Sequence, residues 1–337
     1  MSESRLDRRN LLRTATVGAA ALTSASLAAS ATPGLAAPVT PAARGTAPTA
    51  GRTTGRTTGR GTATFRWFGT AGWRIDIGAK TVLVDPYLSR YRTGLFDGGM
   101  NMATPLTVAA DVVAAHVGRP ETVLVTHSHW DHFNDVPHIA TTTGARVIGT
   151  MTTYQLGLAS GVPSGQLGLV KGGEVLEFGD YSVEVVSSLH SRNAAYSVGI
   201  PGLRLSQPPK PATVADLPEG DTLAYLLSVR NGPRVFFMGA SDFVERNVTG
   251  LAPDIAMIAM ASSDATHEYV PRLLEALDHP SIVVPVHWDN FETELRNPPP
   301  VLPADRQRLE AMIATIRRVA PGTRVVVPEY LTGYTFS

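Results

Sequence analysis

The sequence predicts an α/β fold in which two β-sheets are sandwiched between helices, an αββα arrangement. Three observations predict it. Short β-branched and aromatic runs punctuated by glycine follow one another from residue 63, strands and helices alternate through the last third, and a composition of 43% hydrophobic and 17% charged residues can fill a sizeable core. One large domain, residues 63–337, preceded by a tail is the natural organisation.

The elements are expected as follows. Residues 64–68, 72–77 and 81–84 read as successive strands of one sheet, the last ending at Asp85-Pro86. Residues 108–116 have helical spacing, and 121–126 form a compact apolar strand that runs straight into a histidine cluster. A strand at 145–149, a helix at 152–158 and a β-rich block at 174–188 come next, then a Pro-rich connection over 199–220. Strands at 222–229 and 234–238 meet across Asn231-Gly232, a strong hairpin signal. The rest repeats a strand-helix theme: strand 255–260, helix 268–277, strand 282–286, helix 304–319 and strand 323–327.

Charge and composition exclude several classes of function. The whole chain is formally neutral, but residues 1–62 hold eight arginines against Glu3 and Asp7, which leaves the remainder with 21 basic and 27 acidic residues. An acidic body lacks the Lys and Arg that neutralise phosphates, so nucleic acid is not an expected partner. With no cysteine, any transition-metal site must use imidazole and carboxylate.

The first 31 residues contain Arg-Leu-Asp-Arg-Arg-Asn-Leu-Leu-Arg at 5–13 and then a modestly apolar stretch rich in Ala, Thr and Ser. This resembles a twin-arginine export signal, with Arg8 and Arg9 as the pair, Leu11 and Leu12 after it, and Ala29-Ser30-Ala31 as cleavage site; Leu35-Ala36-Ala37 offers a second site. The resemblance implies the twin-arginine machinery as a partner and a periplasmic or extracellular destination. The run falls short of the about 20 predominantly apolar residues of a spanning helix, so no stable membrane insertion is expected after cleavage. Residues 32–62, including Gly-Arg-Thr-Thr-Gly-Arg-Thr-Thr-Gly-Arg at 51–60, read as a flexible Gly/Thr/Arg/Pro linker.

The chemistry lies in Thr126-His127-Ser128-His129-Trp130-Asp131-His132, three imidazoles and a carboxylate within six residues. Zinc takes such donors, and catalytic sites leave one position open. On an extended segment His127 and His129 point to the same side, while Asp131 and His132 enter the next turn and can face a second ion. This cluster resembles the signature of the metallo-β-lactamase superfamily, and the resemblance covers most of the chain from about Thr64. The order of elements is similar to the ascorbate-phosphate lactonase-like branch, with Val84-Asp85-Pro86 early and Val284-Pro285-Val286-His287 late.

The resemblance implies that His127, His129 and His190 hold the first metal and that Asp131, His132 and His287 hold the second. It also implies a carboxylate bridging the two ions. Strict alignment puts Ala240 at that position, so either the loop bulges to bring in Asp242 or the bridge is missing. Asp85 is a candidate hydrogen-bond partner for a ligand histidine, or a plain turn residue. Asp221 reads as a turn residue, and His116, His138, His267 and His279 lack ligand spacing. Trp130 and Trp288 are candidate pocket walls, with core packing the simpler role for both.

The expected activity is hydrolysis on one or two zinc ions, iron or manganese not being excluded. A metal lowers the pKa of water toward about 7, and the resulting hydroxide attacks a small-molecule lactone, ester, amide or phosphodiester. Asp131 and Asp242 are the candidate catalytic carboxylates. The insertion at 192–220 is expected to shape one wall. The alternative is a non-catalytic, metal-dependent binding protein of the same fold.

Overall fold

A computed structural model describes residues 61–336; the segment read as an export signal and nearly all of the segment read as a linker lie outside the described residues. The strands, in chain order, are β1 (Ala63–Gly69), β2 (Gly72–Ile77), β3 (Lys80–Val84), β4 (Thr122–Leu124), β5 (Arg146–Gly149), β6 (Leu167–Leu169), β7 (Val175–Glu177), β8 (Tyr181–Ser187), β9 (Leu223–Val229), β10 (Arg234–Met238), β11 (Ile255–Ala259), β12 (Ile282–Val286), β13 (Arg324–Val325) and β14 (Gly333–Phe336). The helices are α1 (Ala110–Val117), α2 (Trp130–Phe133), α3 (Val136–Thr143), α4 (Met151–Ala159), α5 (Glu245–Val248), α6 (Tyr269–Ala276) and α7 (Pro303–Val319).

The strands form two seven-stranded sheets, in the orders β14-β1-β2-β3-β4-β5-β6 and β13-β12-β11-β10-β9-β8-β7. Each sheet has an antiparallel half followed by a parallel half. In the first, β14 to β3 pair antiparallel and β3 to β6 parallel. In the second, β7 to β10 pair antiparallel and β10 to β13 parallel. This is the expected αββα sandwich.

Period-two alternation fills it. Val82, Val84, Leu124 and Ile148 point into the core between the sheets with Phe65, Trp67, Tyr225 and Phe237. Their neighbours Leu83, Val123 and Val147 face the other way, onto Val113 and Val117 of α1, Ile139 of α3 and Leu156 of α4. On the second sheet α6 and α7 cover the strands with Leu273, Leu309 and Ile316.

The structure differs from expectation in a few elements. The 121–126 strand narrows to β4, although Val125 N still bonds Ile148 O at 2.9 Å. The 174–188 block is a hairpin of β7 and β8. α3 and β14 were not expected. Three consecutive threonines weaken the helical pattern of α3, and β14 is a four-residue strand whose partner β1 lies at the other end of the domain. Among the described residues no helix is long and apolar enough to cross a membrane.

Candidate metal centre

Parallel strands expose their carboxyl ends on one edge of a sheet, and ligands of α/β proteins gather there. The centre is built from such ends in both sheets: Asp85 after β3, the 126–132 segment after β4, Ser262 beyond β11 and His287 after β12. The extended stretch His127-Ser128-His129 is pinned by Ser128 N to Glu219 O at 3.0 Å. His129 then caps α2, and this single helical turn carries Asp131 and His132.

Two groups of potential ligands result. The nitrogens of His127, His129 and His190 converge, as do Asp131, His132 and His287; within each group the donor atoms lie within 4.8 Å of one another. Asp131 Oδ2 is 3.3 Å from His287 Nε2 and 3.5 Å from His132 Nε2. His127 and His132, one from each group, have ring centroids 3.9 Å apart and planes tilted by 45°, so the groups adjoin.

Hydrogen bonds fix the ring tautomers in a way that calls for cations. His190 Nδ1 donates to Ser191 O at 2.8 Å and His129 Nε2 to Ile200 O at 3.3 Å. The remaining nitrogens, His190 Nε2 and His129 Nδ1, face each other at 3.1 Å, lone pair against lone pair. A cation between them turns this repulsion into coordination, so the residues fit a metal.

Asp85 ties the two groups together. Its Oδ2 accepts from His132 Nδ1 at 2.8 Å and from Thr126 Oγ1 at 2.5 Å, and its Oδ1 accepts from Thr126 N at 2.7 Å. Thr126 Oγ1, having given its proton to Asp85, accepts from His127 Nδ1 at 3.1 Å. One buried carboxylate thus orients a histidine in each group, leaving Nε2 of both rings free for metal. Asp85 adopts φ 40 and His287 φ 59, left-handed backbone that non-glycine residues seldom hold outside functional sites. Gly239 leaves room for the tie, since a Cβ there would sit 2.1 Å from Thr126 Oγ1 and 2.8 Å from Asp85 Oδ2.

Electrostatics agree. Burial, and next the neighbouring His132, hold His127 well below the usual histidine range. Burial pushes His129 down to about 4 despite Asp131 nearby, and burial with His129 pushes His190 down to about 3. These three are neutral ligands at neutral pH. His132 goes the other way: burial lowers it, but Asp131 and Asp85 together outweigh burial and raise it. For Asp131 burial favours protonation, yet His132 and His287 hold the carboxyl below its ordinary value.

Asp242 requires a correction. Its carboxylate accepts from Phe243 N at 2.9 Å, and the residue pairs with Leu189 in an isolated β-bridge, outside both ligand groups. Ala240 ends the strand region beside the site, and Ser241 is held by Ser191 and by Ala261 O. The loop does not bulge toward the ligand groups because these bonds and the Leu189 bridge hold it against the segment that follows β8. Among the described residues Asp131 is the one carboxylate that the two ligand groups contain.

The remaining candidates are placed as follows. Trp130 lines the cleft over the centre with Leu95, Met100, Ile200 and Phe291. Trp288 is core, stacked on Trp67 at 5.2 Å. His267 is exposed beside Glu268. Asp221 sits exposed just before β9. Of these walls, Leu95, Met100 and Phe291 carried no signal in the sequence, because apolar residues in loops have no period to mark them.

A family model described as a β-lactamase superfamily domain matches residues 64–287. The chain is 27% identical over 239 residues to a UPF0173 metal-dependent hydrolase of Polynucleobacter asymbioticus, covering 66% of this chain and 73% of the relative. It is 25% identical over 271 residues to another from Anaeromyxobacter dehalogenans, covering 77% and 85%. Similar solved structures include a possible metal-dependent hydrolase from Veillonella parvula, with TM-score 0.52, 16% identity and coverage of 82% and 99%. Igni18, a metallo hydrolase from Ignicoccus hospitalis, gives TM-score 0.51 and 18% identity over 82% and 99% of the two chains. The diiron β-hydroxylase CmlA from Streptomyces venezuelae gives 0.51 and 14% over 81% and 54%. These structural likenesses are of fold.

Proposed function

The chain belongs to the β-lactamase superfamily and is a metal-dependent hydrolase; from that premise we propose that it cleaves carbonyl substrates, a lactone, ester or amide uncharged at the reacting centre, with zinc as its metal. One observation carries the choice of substrate. The cleft over the two ligand groups, about 250 Å³, is walled by Leu95, Met100, Trp130, Ile200 and Phe291, and no Lys or Arg lines it. A phosphodiester carries its charge at the reacting centre and gains from cationic side chains there. An apolar acyl group gains from burial at about 25 cal/mol per Å². Zinc is supported by the donor set, five imidazoles and one carboxylate without thiolate.

When bound, the metal supplies Lewis acidity toward a carbonyl oxygen and acidifies water. The chain does the rest. His127, His129 and His190 would hold one ion, and Asp131, His132 and His287 the other. The role we assign to Asp131, kept ionised by His132 and His287, is to orient the attacking water by accepting its hydrogen bond. Asp85 keeps the imidazoles of His127 and His132 in register, and the apolar walls seat the substrate and exclude bulk water.

The test is turnover of 4-nitrophenyl butyrate and a γ-lactone against bis(4-nitrophenyl) phosphate, with zinc-loaded and chelated protein. The reading expects zinc-dependent hydrolysis of the carbonyl compounds in preference to the phosphodiester; the reverse preference overturns it. The twin-arginine pattern at Arg8-Arg9 and the small-residue stretch to Ala31 support export of the enzyme. Replacing Arg8 and Arg9 with Lys should then retain it in the cytoplasm, as cell fractionation would show.

A further inference from the structure

We propose that the substrate cleft has a second compartment, which takes a single carboxylate through Arg192, so that the hydrolysed substrate is an amphiphilic acid. A cavity of about 490 Å³ adjoins the metal-lined one, and Asn193 and Ser262 form walls of both. The other walls of the larger space include Arg192, Tyr196, Asp264 and Arg308.

Of the two arginines that line this compartment, only Arg192 is without a carboxylate partner among the described residues. Arg308 is committed: its Nε lies 3.5 Å from Asp264 Oδ2 and its Nη1 3.5 Å from Asp305 Oδ1. Arg192 is exposed and its Nη1 donates only to Tyr196 O, at 3.0 Å; no carboxylate among the described residues lies within ion-pair distance of it. One guanidinium thus remains free to make charge-assisted bonds to an anion. The walls of the first compartment carry no Lys or Arg.

The boundary between the compartments is built firmly. Asn193 Oδ1 accepts from Ala195 N at 2.9 Å and Ser197 N at 3.1 Å, and its Nδ2 donates to Ser197 Oγ at 2.7 Å. That closed turn holds Arg192 and Tyr196 on the rim. The other shared wall, Ser262, adopts φ 60, a left-handed conformation unfavourable for a serine. A substrate with an apolar hydrolysable part over the metals and a carboxylate beyond Asn193 and Ser262 fits both chemistries. The proposal rests on the hydrolase reading for what happens in the first compartment, though the second compartment can be tested without turnover.

The experiment is calorimetric binding of dicarboxylates from glutarate to suberate to the zinc-loaded full chain, each beside the monocarboxylate of equal length. At least one dicarboxylate should bind about three- to tenfold more tightly than its partner, an advantage that added salt reduces. Arg192→Ala should remove the advantage without weakening the monocarboxylate, and Arg192→Lys should keep part of it. Equal affinities across every pair, or an Arg192→Ala loss shared by both ligands, would overturn the proposal. With turnover, Arg192→Ala should raise KM for mono-4-nitrophenyl glutarate by a larger factor than for 4-nitrophenyl butyrate. If neither ester is cleaved, the hydrolase reading fails while the calorimetry still decides the compartment.

Discussion

At the scale of residues, the centre depends on Asp85. Its carboxylate reaches His132 directly and His127 through Thr126, so a neutral amide in its place weakens both ligand groups. Asp85→Asn should lower metal affinity by about 10- to 100-fold, read by competition with a chromophoric chelator. The histidines also predict a pH effect on the metal-free protein. His127, His129 and His190 have folded-state pKa values below the unfolded value, so between the two the unfolded chain binds more protons and stability falls as pH drops below about 6.5, by up to about 1.4 kcal/mol per pH unit for each ring. His132, raised when folded, adds stability that is present below about 6.5 and fades as pH rises, so it offsets only one of the three. The melting temperature of metal-free protein should therefore fall from pH 7 to pH 5, and zinc, which binds only unprotonated rings, should steepen the fall; a metal-free protein more stable at pH 5 would contradict the burial of neutral imidazoles. Most of these residues could be read from the sequence because ligand chemistry restricts residue type, and the spacing His-x-His-x-Asp-His is dense enough to stand out. Asp242 misled, because proximity in sequence to a strand end says nothing about which way a loop is held once Ser191 and Leu189 bind it.

At the scale of elements, a strand end is useful only if its following loop is fixed. After β12, His287 N donates to Thr70 O at 2.8 Å, and Thr70 N donates to Asp289 Oδ1 at 2.9 Å. Asp289 Oδ2 in turn accepts from Arg90 Nη2 at 2.6 Å and from Tyr330 Oη at 2.7 Å. This buried ion pair clamps the His287 turn to the turn between β1 and β2. Removing one partner strands the other charge, so Asp289→Ala should cost about 3–5 kcal/mol in chemical denaturation and weaken the second ligand group selectively. Denaturation within 1 kcal/mol of the parent would show that the pair does not hold this turn. The strands of this region were legible from apolar period two, and Asn231-Gly232 announced its hairpin. The clamp was not, because Arg90, Asp289 and Tyr330 are separated by most of the chain and each alone resembles a surface residue.

At the scale of the whole molecule, the two sheets repeat one plan, and the centre lies where their parallel halves present carboxyl ends to a common cleft. The first sheet is closed by strands from opposite ends of the domain, β1 pairing with β14 and Phe65 packing on Phe336 at 5.4 Å. Truncation after Leu331 should expose the β1 edge, lower the melting temperature and promote aggregation. The sandwich was legible because alternation and strand-helix order survive in local sequence, whereas β14 rests on a pairing that only the finished fold supplies. The central claim is that two adjoining ligand groups hold two metals without a carboxylate from the β10 loop. Metal content of the purified protein by mass spectrometry tests it most directly. About two ions per chain, unchanged in Asp242→Ala and falling to one in His287→Ala, is the predicted result; one ion in the parent protein, or loss of an ion in Asp242→Ala, would contradict it.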